Sequence, residues 1–364
     1  MFDHIIGNEK AKAYLACTAR RRMMGNSLLF AGMNGIGKSL FAVAFAKMLL
    51  CLDDPEGKNK KKIEAGNHPD IRIYRPEGKI GLHSIASMRQ FSEEVYLVPY
   101  EAKWKVFILH EADRMLPSSA NALLKTFEEP AQNAIIILLS SAASALLPTI
   151  VSRCRTIHFH PLEEKEIASF ITRRFNKTEE EAGLIAHLSQ GSLGHAVRLA
   201  EEGDNPSRLL LLEFLSRGKV GSYKKLAEMA AELAERVESA KKQIEEEMRK
   251  TLLRGKLEDF SASQKQALEK EVEGAVAMHI RQKGCELFEM ILAWYRDLHV
   301  LSLKGNPDYL IHRDFIDAGR TMAAQGGLPS IESVQKAIDE TRLALERSTS
   351  LQICLENLFL KLNL

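Results

Sequence analysis

The chain has 364 residues, 45% hydrophobic and 27% charged, with 50 basic residues set against 48 acidic ones. That length calls for two or three domains with real cores. The resulting net charge of +2 does not by itself argue for nucleic acid, though a local patch could still exist, and no apolar run is long enough to span a membrane.

In chain order, charges fall early in MFDHIIGNEKAKAYL, so no signal peptide is expected. Leu28 to Ala31 reads as a strand entering a glycine-rich turn, and Lys38 to Leu50 as the helix leaving it. Lys58 to Lys62 is a basic run expected as a solvated loop. Further strands are expected at 71–74, 106–109, 135–140 and 156–159. A helix is expected over Ser118 to Glu128, stopped by Pro130. Strands alternating with helices imply βαβ units and a mostly parallel sheet of five strands.

After Pro161 the strand signals cease. Three short helices are expected at 163–175, 178–189 and 193–202, then a linker through Gly203-Asp204-Asn205-Pro206. Everything beyond reads as helix. Leu226, Met229, Leu233, Val237, Ala240, Ile244 and Met248 step by 3, 4, 4, 3, 4, 4, a rhythm that keeps one seam aligned on a nearly straight helix. A second long pattern runs from Ser263 to Leu303, so residues 222–303 are a candidate helical hairpin. Ile331 to Leu362 is the last helical stretch, expected to be buried or to face another subunit. The divisions are an α/β domain over 1–160, a helical module over 161–203 and an all-α domain over 204–364. The five cysteines (Cys17, Cys51, Cys154, Cys285 and Cys354) show no C-x-x-C spacing, the pattern of reduced thiols in a cytoplasmic protein.

Residues 32–39 read GMNGIGKS and fit G-x-x-x-x-G-K-[ST] without a mismatch. Between a strand and a helix, such a loop turns backbone N–H groups inward and adds the positive end of the helix. Gly32, Asn34, Gly35 and Gly37 form the cradle, Lys38 reaches the β- and γ-phosphates, and Ser39 ligates magnesium. ATP or ADP with magnesium is the cofactor these residues imply. The third strand ends in His110-Glu111-Ala112-Asp113, where a hydrolysing P-loop strand supplies an acidic metal ligand. Magnesium takes hard oxygen ligands, so His110 is expected to weaken or abolish hydrolysis. Glu111 keeps the general-base place but idles, and Asp113 is expected to turn away into the next helix.

NALLKTFEEP (121–130), LLPTIVSRC (146–154), IIGNEKAKAYL (5–15) and Asn67-His68-Pro69-Asp70 resemble the AAA+ clamp-loader subunits of bacterial DNA polymerase III, the delta-prime branch in particular. The resemblance covers about residues 1–205. It implies an AAA+ P-loop domain, a three-helix lid and a C-terminal collar that joins subunits into a hetero-pentamer. That assembly would place a sliding clamp on primed DNA, in the cytoplasm and away from membranes. It makes Arg153 an arginine finger acting in trans on a neighbour's ATP, and Ser140 or Ser141 a polar sensor. Relatives often carry a four-cysteine zinc module after the P-loop helix; here Cys51 stands alone, so no zinc is expected. Where motor subunits carry a phosphate-sensing arginine this chain has Gly194, with Arg198 about a turn too far. As part of a DNA polymerase holoenzyme the chain has no polymerase chemistry of its own. Two alternatives remain at this level: an active gamma/tau-type ATPase, favoured by the intact loop, and a stand-alone P-loop adaptor unrelated to replication.

Overall fold

The computed structural model describes residues 2, 5–21, 26–52, 54, 57–202, 206–239, 241–242, 244–246 and 262–364. The chain divides into two compact units: one of residues 1–77 and 82–201, the other of 78–81 and 202–364.

The first unit is built on five parallel strands, β1 (Ser27–Ala31), β2 (Ile71–Tyr74), β3 (Lys105–Leu109), β4 (Ala134–Ser140) and β5 (Arg155–His158), in the spatial order β2-β3-β4-β1-β5. Every residue of β1, β3 and β4 is buried, which is why these segments read as continuous apolar runs rather than alternating ones. Alternate residues serve two cores. Leu28, Phe30, Val106, Ile108, Ile135 and Ile137 pack with Phe41 and Phe45 of α2 (Lys38–Leu50) and with Leu15 of α1 (Glu9–Arg21). Leu29, Phe107, Leu109, Ile136 and Leu138 face the opposite core, with Phe91 of α4 (Ile85–Val95), Leu123 and Ile150. The strands expected from sequence are all present, the last one residue earlier than the apolar run indicated.

Three expectations need correction. The basic run is not a loop but the helix α3 (Lys58–Glu64). It is fastened from below: the Asp54 carboxylate accepts from the Lys58 and Asn59 N–H groups, and Asn59 bonds both the Leu50 carbonyl and His68. The helix expected over 118–128 is two short helices, α5 (Pro117–Ala122) and α6 (Leu124–Glu128). The last helical stretch is also two helices, 331–346 and 351–361. Between them Ser348 sits at φ 67° and Ser350 caps the second.

After α7 (Pro148–Val151) and β5, the first unit ends in α8 (Glu164–Phe175), α9 (Glu179–Leu188) and α10 (Leu193–Glu202). Glu163 and Thr178 each begin a capping box, which fixes where α8 and α9 start. Leu162, Ile167, Ile171, Ala182, Ala186, Ala196 and Ala200 form their shared core.

The second unit is helical where it is described. α11 (Pro206–Ser216), α12 (Tyr223–Ser239), α13 (Ala262–Ser302), α14 (Ile316–Gln325), α15 (Ile331–Glu346) and α16 (Leu351–Lys361) share one core around Phe288, Trp294, Leu355 and Phe359. Leu226, Leu233 and Val237 of the predicted seam are buried in it, with Met229 partly so. The linker residues 203–205, the seam positions 240 and 248, and the middle of the expected hairpin at 247–261 lie outside the described residues.

Candidate functional site

All five strands are parallel, so their C-terminal ends share one edge of the sheet, where α/β proteins place ligands. Gly32–Ser39 follows β1, His110–Asp113 follows β3, and Ser140–Ser141 closes β4. In register Ala31 pairs with Ser140, and Leu138 with Leu109, so the three segments predicted to act together lie side by side.

The loop has the backbone that its glycines permit. Gly35 lies at φ 76° and Gly37 at φ 103°, both in the left-handed region. Gly32 lies so close to Phe159 that an added Cβ would fall 2.6 Å from its carbonyl oxygen. Gly37 opens α2 without a side-chain cap, and the first turn holds no acidic residue, which leaves the positive end of the helix to an anion. The Lys38 ammonium donates to the Gly32 and Met33 carbonyls of the loop. Burial pushes its pKa down to about 8 against the pull of Glu111 and Asp113.

His110 stands at the end of β3 with its Nδ1 3.4 Å from the Ser39 hydroxyl. Its backbone is held on both sides: its N–H donates to Tyr74, and its carbonyl accepts from His83 Nε2 at 2.7 Å. Burial, then Arg75, His83 and Lys38, push the His110 pKa down to about 3. His83 is fully buried, is shifted downward by burial, and leaves its Nδ1 without a partner among the described residues. Both imidazoles are therefore neutral near pH 7.

Glu111 adopts φ 50°, ψ 50° at the start of a 3-10 turn over 112–114, an uncommon backbone for a non-glycine residue. Asp113 enters that 3-10 turn, as expected, but its side chain stays beside the end of β4. Its carboxylate accepts from the Ser141 N–H and hydroxyl at 3.3 and 3.4 Å. Ser140 is buried and its hydroxyl donates to the Ala142 carbonyl, whereas Ser141 is exposed. Among the described residues no group of three or more His, Cys, Asp or Glu is placed to hold a metal ion.

The three-helix module touches the loop directly, which sequence reasoning missed. The Gly194 N–H donates to the Gly35 carbonyl at 2.8 Å and the Ser192 hydroxyl to that of Asn34 at 3.1 Å. A Cβ on Gly194 would lie 2.9 Å from the Gly35 oxygen. The sequence flagged Gly194 only as a missing arginine; its lack of a side chain is what lets α10 meet the loop backbone to backbone. Arg198 lies one turn further along α10.

Arg153 lies on the other edge. It precedes β5, whose Arg155 pairs with Leu28 while Gly32 follows Ala31. Four residue steps along the sheet separate the two levels, roughly 13 Å by the strand rise. The guanidinium donates to Glu128 at 2.6 Å and to the Thr149 carbonyl at 2.8 Å, and about a third of the side chain is exposed. It is tied to a carboxylate of its own chain, yet it stays at the surface. The neighbouring Cys154 thiol is pushed up to about 12 by burial, the mark of a structural cysteine rather than a reactive one.

The family described as "DNA polymerase III, delta subunit" matches residues 7–163. The DNA polymerase III subunit delta' of Bacillus subtilis is 28% identical over 93% of this chain and 91% of that protein. The Haemophilus influenzae subunit tau/gamma is 29% identical over 55% of this chain, a match that spans 30% of that protein. A solved DNA polymerase III gamma subunit-related protein from Thermotoga maritima aligns over 96% of this chain and 98% of its own at 17% identity, with a TM-score of 0.42. The chain is thus similar to a DNA polymerase III subunit delta' along nearly its whole length, and to a tau/gamma subunit over about half of it.

Proposed function

We propose that the chain occupies the delta' position of a clamp loader, lending Arg153 to a nucleotide held by an adjacent subunit while turning over little or none itself. The observation that carries this reading is the placement of Arg153: exposed, and on the sheet edge opposite the chain's own phosphate loop. A guanidinium there is of no use to Gly32–Ser39 but is presented to a partner. Such an arginine spreads positive charge over the γ-phosphate as negative charge develops, an effect on the order of 10³–10⁵ in rate.

The chain's own loop fits phosphates. Gly32, Asn34, Gly35 and Gly37 frame the turn, Lys38 is poised on it, and the start of α2 carries no acid. The metal side does not fit in the same way, because His110 stands beside Ser39. Glu111 retains the place of a base without an acidic metal ligand before it. In this reading residues 161–203 are the lid and residues 204–364 the collar, with 222–303 as a helical hairpin. The partners are the other subunits of a hetero-pentamer, the sliding clamp and primed DNA, in the cytoplasm.

The test is Arg153→Ala in an assembly reconstituted with a gamma/tau-type subunit. A tenfold or greater loss of ATPase rate, about 1.4 kcal/mol in barrier, is expected, with assembly intact by gel filtration. An unchanged rate in an intact assembly overturns the role. A second reading, an active ATPase, is favoured by the unbroken GMNGIGKS loop; brisk turnover by the purified chain alone would establish it instead.

A further inference from the structure

We infer that this chain holds a nucleotide's phosphates without a divalent cation, the Ser39–His110 pair standing where a hydrolysing P-loop site keeps its magnesium. The inference rests on the phosphate-loop part of the proposed function and not on Arg153.

The two halves of the site differ in kind. The phosphate half is complete: left-handed Gly35 and Gly37, an uncapped helix start and Lys38 on the loop carbonyls. In the metal half, a serine hydroxyl and a carboxylate would together present oxygen and negative charge to the ion. Here the hydroxyl faces Nδ1 of His110 at 3.4 Å. An imidazole carries no negative charge in either protonation state, so it cannot offset a dication, and a hard cation gains little from its nitrogen. The main chain that carries the ring is held on both sides, the His110 N–H bonded to Tyr74 and its carbonyl to His83.

Two carboxylates, Glu111 and Asp113, act on Lys38 as negative charges, but the group set against the Ser39 hydroxyl is His110. Asp113 is engaged by Ser141 through both an N–H and a hydroxyl. Glu111 is set by its left-handed backbone at the head of the 3-10 turn. Lys38 and Arg75 both act on His110 as positive charges, so the place of the acidic metal ligand is itself set among cations. The same cations favour an anionic phosphate, which needs no metal to be neutralised there.

The experiment is calorimetric titration of the full chain with ADP, once with magnesium and once with EDTA. Binding is coupled to the metal by the ratio of the two dissociation constants. That ratio is expected to stay within about threefold. A larger tightening by magnesium overturns the inference while leaving the phosphate-loop reading in place. Absence of ADP binding in both buffers overturns both. His110→Asp is expected to bring a magnesium-dependent tightening of roughly tenfold or more, and His110→Asn, which restores no charge, is expected to bring none. A folded His110→Asp chain still indifferent to magnesium, or a His110→Asn chain that becomes sensitive to it, counts against His110 as the cause.

Discussion

Arg153 and Glu128 show how one contact is weighed. The pair is close at 2.6 Å, but both side chains are well exposed, and exposed pairs contribute about 0–1 kcal/mol. Releasing the guanidinium toward a partner therefore costs little. Glu128→Ala is expected to shift the neighbour's ATPase rate by less than about fivefold, the equivalent of that energy, with Arg153→Ala falling much further in the same assay. Equal silencing by both would make the carboxylate a required part of the site. His110 carries a pH prediction. Its folded pKa, about 3, lies below the ordinary histidine value of 6.5, so between these values the unfolded chain binds the extra proton. Stability contributed by the neutral ring is present above pH 6.5 and lost as pH falls, with a slope approaching about 1.4 kcal/mol per pH unit. His83 is shifted in the same direction by burial. Melting curves between pH 7.5 and 5 are expected to show this decline, reduced in His110→Asn.

At the scale of elements, the contact of α10 with the loop depends on two glycines. A Cβ on Gly194 meets the backbone of Gly35 at 2.9 and 3.0 Å, and backbone cannot swing aside as a side-chain tip can. Gly194→Ala is expected to cost about 1–3 kcal/mol and to raise amide exchange at the start of α10; an unchanged melting temperature and exchange pattern would remove the contact from the account. The segment joining α3 to β2 shows a different device. Asp70 is fully buried and accepts from the N–H groups of Tyr100, Glu101 and Ala102, while its own N–H donates to His68. This chain fastens the region with carboxylate-to-backbone bonds. Asp70→Ala leaves three donors unmatched and is expected to destabilise the first unit by roughly 3 kcal/mol or more, read by thermal melting. The matching tetrad Asn67 to Asp70 was visible in sequence, but its partners thirty residues away were not.

Across the whole molecule, each unit has its own core: strands against helices in one, helices against helices in the other. Trp294 is the largest fully buried side chain, and Trp294→Ala is expected to cost the second unit about 3–5 kcal/mol, with the magnesium response of ADP binding unchanged. By itself the sequence determined the local grammar: the five strands, the loop, the three short helices and the identity of His110 and Arg153. These depend on neighbours in the chain, on apolar runs, glycine spacing and proline stops, which a single sequence carries. Only the tertiary structure decided which residues meet across it. The parallel order of β1 and β5 put Arg153 and the phosphate loop on opposite edges. Hydrogen bonds spanning distant segments set Ser39 against His110, Asp113 against Ser141, Gly194 against Gly35 and Glu128 against Arg153. Such pairings follow from strand order and close packing, and no local pattern of residues records either.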